Sequence, residues 1–181
     1  MKKLTHAEIS ANRNTLETLD TVNKLPVYVI LNSIRSSYNV GSIFRTSDGA
    51  MIKKLFLCGY TPHPPKKEIL KTALGATESV DWEYVEDAKV VIERLKSEGI
   101  KIGALEQTHN SRAHYSVDSS EFPIALIVGN EITGVSQELI DLCDFTIEIP
   151  QHGIKQSLNV AVAYGISIFE LRKIYDFGSE K

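Results

Sequence analysis

Three polar clusters, in order along the chain, carry the residues whose types and spacing could do chemistry. The first is Asn39-Val40-Gly41-Ser42-Ile43-Phe44-Arg45-Thr46. Here Arg45 offers a planar, permanently charged fork suited to phosphate. Asn39 has the side chain of a helix cap, and Gly41 leaves room for a close neighbour. The second, Gly129-Asn130-Glu131-Ile132-Thr133-Gly134-Val135, follows an apolar run. Its glycines have P-loop spacing, but with Val135 and Ser136 in the Lys and Ser/Thr places the lysine that reaches the phosphates is missing. Nucleotide hydrolysis is therefore disfavoured, and the absence of GxGxxG weakens a dinucleotide reading. A glycine turn presenting backbone groups and one carboxylate, Glu131, remains. The third cluster runs from Ile149-Pro150-Gln151 through Gly153 to Ser157-Leu158-Asn159. Ser157 is the expected cap of the last helix, with Asn159 in its first turn beside unpaired backbone N–H groups.

Each cluster also has a plainer reading. Arg45 could pair with Asp48 on the surface, Glu131 could sit exposed on an ordinary strand-to-helix turn, and Ser157 could simply cap a helix. Their joint order is the informative part, since two of the three directly follow β-like runs, where open α/β sheets place their ligand crevice.

Those runs define the scaffold. Strands are expected at Val27–Leu31, Leu55–Cys58, Trp82–Val85, Ile100–Leu105, Ile124–Val128 and Phe145–Ile149. Helices are expected at Val40–Ala50, Glu68–Leu74, Ala88–Ser97, Ser136–Leu142 and Ser157–Tyr175. Strand alternates with helix, which gives an α/β fold with a mainly parallel sheet. Near-continuous apolar stretches such as Ala125-Leu126-Ile127-Val128 fit strands covered on both faces. At the start, Thr5-His6-Ala7-Glu8 reads as a capping box, with Leu4 and Ile9 as a staple, opening a helix to about Asp20. Three prolines make residues 61–67 an irregular loop.

At 181 residues the chain fits one domain. No apolar run approaches a membrane span and the start lacks a signal-peptide core, so the cytoplasm is the expected compartment. Cys58 and Cys143 read as buried reduced thiols, and no spacing supports a metal site. The net charge of −3 hides an asymmetry. Residues 24–75 carry eight Lys/Arg against two Asp/Glu, whereas residues 76–150 carry five against fifteen. Local phosphate contact on an otherwise acidic protein is one reading; chance clustering on solvated faces is the other.

Taken together, the three clusters resemble the motifs of the SPOUT superfamily, specifically the TrmH-like (SpoU) RNA ribose 2′-O-methyltransferases. Lys71-Thr72-Ala73-Leu74-Gly75-Ala76 also resembles the family's small-residue stretch between the first two motifs. The similarity covers about residues 25–175, leaving a helical extension at 1–24 and a short tail at 176–181. It implies a Rossmann-like sheet with helices on both faces, a C-terminal trefoil knot, a homodimer, and S-adenosylmethionine as methyl donor. By the same resemblance, cofactor contacts fall on Leu105, Glu106, Gln107, Gly129, Asn130, Gly134, Ile149, Gln151, Ser157 and Leu158. Asn39, Arg45, Glu131, Ser157 and Asn159 match the catalytic set. Arg45 is expected to bind phosphate and steady a developing alkoxide, its geometry fixed by Asn39 and Glu131, because a guanidinium is a poor base. Gln151 departs from the Met of many relatives, and Ser37-Tyr38 from the residues common before Asn39. Lys53, Lys54, Lys66, Lys67 and Lys71, with Arg45, form the expected RNA approach surface. With no separate RNA-binding domain preceding the catalytic region, tRNA is favoured over ribosomal RNA. A non-catalytic RNA-binding dimer and a base methyltransferase are the alternatives.

Overall fold

Four strands of nearly unbroken apolar character form the middle of the molecule: β1 (Leu25–Asn32), β2 (Ile52–Cys58), β4 (Lys101–Leu105) and β6 (Ile124–Val128). In the computed structural model, which describes residues 1–178, they join β3 (Trp82–Val85), β5 (Arg112–Ala113) and β7 (Phe145–Glu148). The order is β3-β2-β1-β6-β4-β7-β5, and every strand pair is parallel. All five residues of β6 are buried, as expected for a strand with neighbours on both sides and helices over both faces.

Side chains alternate across the pleat and so build two cores. Val29, Leu31, Leu55, Leu57, Leu126 and Val128 pack with α2 (Ser37–Ala50), α3 (Lys67–Ala73), α4 (Ala76–Ser79) and α7 (Val160–Phe177) on one face. Ile30, Phe56, Cys58, Ala104, Ala125 and Ile127 pack with α5 (Ala88–Ser97) and α6 (Gln137–Ile140) on the other. No helix among the described residues is long and apolar enough to cross a membrane. Cys58 is buried and Cys143 half-buried, both unpaired. Burial comes first among the causes that push their thiols up, to about 12 and about 11.

Five expectations need correction. The capping box at Thr5 and Glu8 forms, but the helix it opens, α1 (His6–Ala11), ends there instead of reaching Asp20. None of its residues is buried and Leu4 and Ile9 remain exposed, so no packed face extends a helix too short to persist alone. Helix α2 begins at Ser37, capped by the Ser36 hydroxyl, which accepts the Asn39 N–H at 3.3 Å. Helix α7 is capped by Asn159, not Ser157. Helix α6 is a single turn, because the chain tightens where Leu142 and Cys143 bond back to Leu139 and Ile140. The tail expected at residues 176–181 is partly helical, since α7 continues to Phe177; residues 179–181 lie outside the described residues.

One buried polar pair fixes α2 against α7. The Ser47 and Tyr164 hydroxyls meet at 2.7 Å, and both residues are fully buried. Replacing Ser47 by alanine strands the tyrosine hydroxyl in the core. The expected loss is about 1–3 kcal/mol of stability, read as a lower urea midpoint with unchanged slope. A Ser47→Ala midpoint equal to wild type would show that the pair contributes nothing.

Candidate active site

The loops leaving β4, β6 and β7 surround a cavity of about 400 Å³ at the carboxyl ends of the strands. Leu105, Glu106, Gln107, Gly129, Asn130, Gly134, Ile149, Gln151, Ser157 and Leu158, the ten expected cofactor contacts, all line it. Thr108, Gln137, Ile140, Glu148, Val160 and Ala163 line it as well, and sequence reasoning passed over them. Among the described residues the walls hold three carboxylates (Glu106, Glu131, Glu148) and no Lys, Arg or His. Such a cavity repels phosphates and suits a ligand with a positive centre and an apolar body.

The glycine turn owes its shape to Asn130. That buried side chain accepts the Ile132 and Thr133 N–H groups at 2.8 and 3.0 Å, and donates to the Ser33 carbonyl and the Tyr60 hydroxyl, both at 2.8 Å. Asn130 and Gly134 also bond backbone to backbone in both directions, with Gly134 at φ +66°. Only glycine adopts that conformation freely. The Glu106 carboxylate ties the turn to β4 by accepting the Val135 N–H at 2.9 Å, and Gln107 donates to the Gln156 carbonyl at 2.8 Å.

Beside the cavity runs a chain of three side chains drawn from the three clusters. Asn159 Oδ1 accepts the Ala161 and Val162 N–H groups at the head of α7, leaving Nδ2 to donate to Asn39 Oδ1 at 3.2 Å. Asn39 Nδ2 then donates to Glu131 at 2.9 Å. Glu131 also accepts the Arg35 and Ser36 N–H groups at 2.8 and 3.0 Å. An ionised carboxylate only accepts, so both ends of the chain set its direction. Partial burial pushes the Glu131 carboxyl up, but its hydrogen bonds together outweigh that and hold it below its ordinary value. Its contribution to stability is thus fully present above its ordinary pKa of 4.5 and lost as pH falls through the lower folded value. The difference in urea midpoint between wild type and Glu131→Gln is expected to shrink on acidification below pH 4.5. A difference that ignores pH would contradict this.

Other expected residues are not brought together. Ser157 lines the cavity without capping the helix. Arg45 is exposed and lies outside the cavity lining and the Glu131–Asn39–Asn159 chain. Six residues past Asn39, it is about 9 Å further along α2 and, with Tyr38 and Gly49, on the face turned from the sheet. Within one chain, Asn39 and Glu131 fix each other rather than Arg45, and Asp48 bonds Ser79 instead of pairing with Arg45. The basic surface also divides. Lys66, Lys67 and Lys71 sit beyond the carboxyl end of β2, near the first turn of α2. Lys53 and Lys54 lie at the strand's opposite end, about 16 Å away at 3.3 Å per residue. Lys54 is engaged by Asp81 and Glu83, at 3.7 and 3.2 Å. No group of His, Cys, Asp and Glu among the described residues could hold a metal ion.

Fold and cavity together define a Rossmann-like domain with a carboxylate-bearing pocket at the carboxyl ends of its strands. The chain matches the model of the SpoU rRNA Methylase family over residues 26–169 and belongs to that family. It is 33% identical over 149 residues to the tRNA (guanosine(18)-2′-O)-methyltransferase of Aquifex aeolicus, covering 80% of this chain and 68% of that one. The crystal structure of the A. aeolicus TrmH/SpoU tRNA modifying enzyme superposes with a TM-score of 0.79 at 29% identity, covering 89% of this chain and 82% of that one. An AdoMet-bound rRNA methyltransferase from Sinorhizobium meliloti gives 0.76 at 28% identity, covering 83% and 60%. Of TrmH-family relatives in Staphylococcus aureus and Bacillus subtilis, this chain spans 62% and 59% of the length.

Proposed function

We propose that this chain is an S-adenosylmethionine-dependent RNA methyltransferase that methylates a ribose 2′-hydroxyl of tRNA, acting as a cytoplasmic homodimer. The observation that carries this reading is the cavity with carboxylate and apolar walls and no cation, adjoining the Glu131–Asn39–Asn159 chain. When bound, S-adenosylmethionine supplies an activated methyl group on a positively charged sulfur. Leu105, Ile149 and Leu158 offer apolar contact for its adenine, the loop backbone offers hydrogen bonds to the ring edge, and the carboxylates favour the positive charge. The polar chain holds the heads of α2 and α7 in register with the glycine turn. Fixed alignment of two reactants can itself lower a barrier by roughly 7–11 kcal/mol.

Arg45 completes the site from the other subunit in this reading. Val162, Ile166 and Phe169 form an exposed apolar stripe along α7, with exposed Leu158 just before its cap, and Phe169 lies next to Gly49 on the face of α2 that carries Tyr38 and Arg45. A second copy covering that stripe would bring its own Arg45 to the cavity, where the guanidinium binds the phosphate next to the target ribose and steadies the alkoxide. Lys66, Lys67 and Lys71 extend the approach path for the RNA backbone. The C-terminal segment is proposed to be threaded as a trefoil knot. Similarity to the A. aeolicus enzyme, named for a tRNA guanosine, favours tRNA.

The direct test is transfer of labelled methyl from S-adenosylmethionine to unmodified tRNA or ribosomal RNA, followed by nuclease digestion and identification of the nucleoside. A 2′-O-methyl nucleoside from tRNA is the expected product. A methylated base, or label in ribosomal RNA alone, would overturn the substrate assignment, and no cofactor binding by calorimetry would favour a non-catalytic dimer. Val162→Asp places a charge in the exposed stripe and is expected to give a monomer by sedimentation with methyl transfer largely lost. A fully active Val162→Asp monomer would refute the shared site.

A further inference from the structure

A second hollow, about 570 Å³, opens beside the first at the carboxyl ends of β2 and β3, and its walls are aromatic. Tyr60 and Tyr84 are 64% and 42% exposed, and His63, which also lines the hollow, is exposed too. His63 lies 4.8 Å from Tyr84 and 6.5 Å from Trp82, nearly parallel to the latter at 25°. The rings are held in place. Tyr84 donates its hydroxyl to the Gly59 carbonyl at 2.9 Å, and His63 Nδ1 lies 2.9 Å from the Pro64 carbonyl.

Two features narrow what this surface takes. Lys66 lines the hollow, Lys67 and Lys71 follow on α3, and none of the three forms a salt bridge among the described residues. Exposed π faces beside free ammonium groups match a flat base attached to a phosphate; an acidic peptide would use the charges and leave the rings idle. The hollow is also tied to the candidate active site, because the Tyr60 hydroxyl on its wall accepts a hydrogen bond at 2.8 Å from Nδ2 of Asn130, the residue that shapes the glycine turn.

We infer that Tyr60, His63 and Tyr84 form a stacking subsite for a nucleobase of the RNA strand flanking the methylated ribose, with Lys66 on the adjoining phosphate. The inference rests on the RNA methyltransferase reading above. It assigns to the rings a role separate from that of the lysines: the rings supply sequence-tolerant stacking, the lysines salt-dependent attraction.

The chain's single tryptophan, Trp82, reports on this subsite because it stacks on His63. A short single-stranded oligoribonucleotide is expected to change Trp82 emission saturably. His63→Ala and Tyr84→Ala should abolish that change and weaken RNA binding roughly 10- to 100-fold with the salt slope unaltered. Tyr84→Phe keeps the ring and should retain both. Calorimetry with S-adenosylmethionine, unchanged in all three variants, shows that the first cavity is intact. RNA bound by the wild type without an emission change, or equally well by the alanine variants, overturns the subsite and leaves methyl transfer standing. A wild type that binds no RNA overturns both readings.

Discussion

Arg45→Lys is expected to lower methyl transfer about 100- to 1,000-fold, the usual effect of losing one aligned donor to developing charge. S-adenosylmethionine affinity should stay within about twofold, because Arg45 is no part of the cavity wall. The substitution keeps the positive charge and removes the planar fork, so it separates geometry from net electrostatics. A lysine variant with full turnover would refute the role. The same residue allows a sharper test of where it acts. Arg45 lies on the exposed face of α2, away from its own cavity lining. If it serves the other subunit, Arg45→Ala and a cavity-blocked variant should each be inactive as homodimers and regain activity when mixed. In such a mixed dimer, one intact cavity faces one intact guanidinium. Mixed dimers without activity would place Arg45 and the cavity in the same chain.

What could be read from the sequence follows the range of the interactions involved. Strand positions were legible because apolar runs such as Ala125–Val128 announce themselves locally, and Trp82–Val85 and Ile124–Val128 match the structure residue for residue. The sheet order was not legible. Insertion of β6 between β1 and β4 depends on pairings such as Leu31 with Val128, about which neighbouring residues carry no information. Cap assignment failed within short windows. Ser157 and Asn159 are both good caps two residues apart, and the tie is broken by Asn39, 120 positions away, which accepts from Asn159 and not from Ser157. At the N-terminus the local signal was sound, since the Thr5–Glu8 box forms, yet nothing packs against the helix beyond Ala11. The basic surface was misjudged for a geometric reason: Lys54 and Lys66 are near in sequence, but β2 carries the chain across the full height of the sheet between them. Tyr60 gave no signal, because its meaning lies in a bond to Asn130 across 70 positions.

The glycine turn provides the other large effect. A Cβ on Gly129 would overlap the Gly134 carbonyl carbon and oxygen and the Val135 nitrogen, all backbone atoms with no flexible end to swing away. That nitrogen donates to Glu106, and Gly134 is paired with Asn130 in both directions, so relief of the overlap must open the turn. Gly129→Ala is therefore expected to abolish measurable S-adenosylmethionine binding, a loss of at least about 100-fold if opening costs the few kcal/mol typical of an overpacked, hydrogen-bonded site. Gly153→Ala is the matched control. It lies in the exposed loop that leads to Ser157, its backbone has no positive φ, and its added methyl would meet nothing within 4 Å. Unchanged cofactor affinity is expected there. Both variants add one methyl group to a glycine near the same cavity, so any general effect of losing a glycine cancels between them. Equal affinities in the two would mean that the turn at Gly129 does not shape the binding site, and the assignment of the cavity to S-adenosylmethionine would lose its geometric basis.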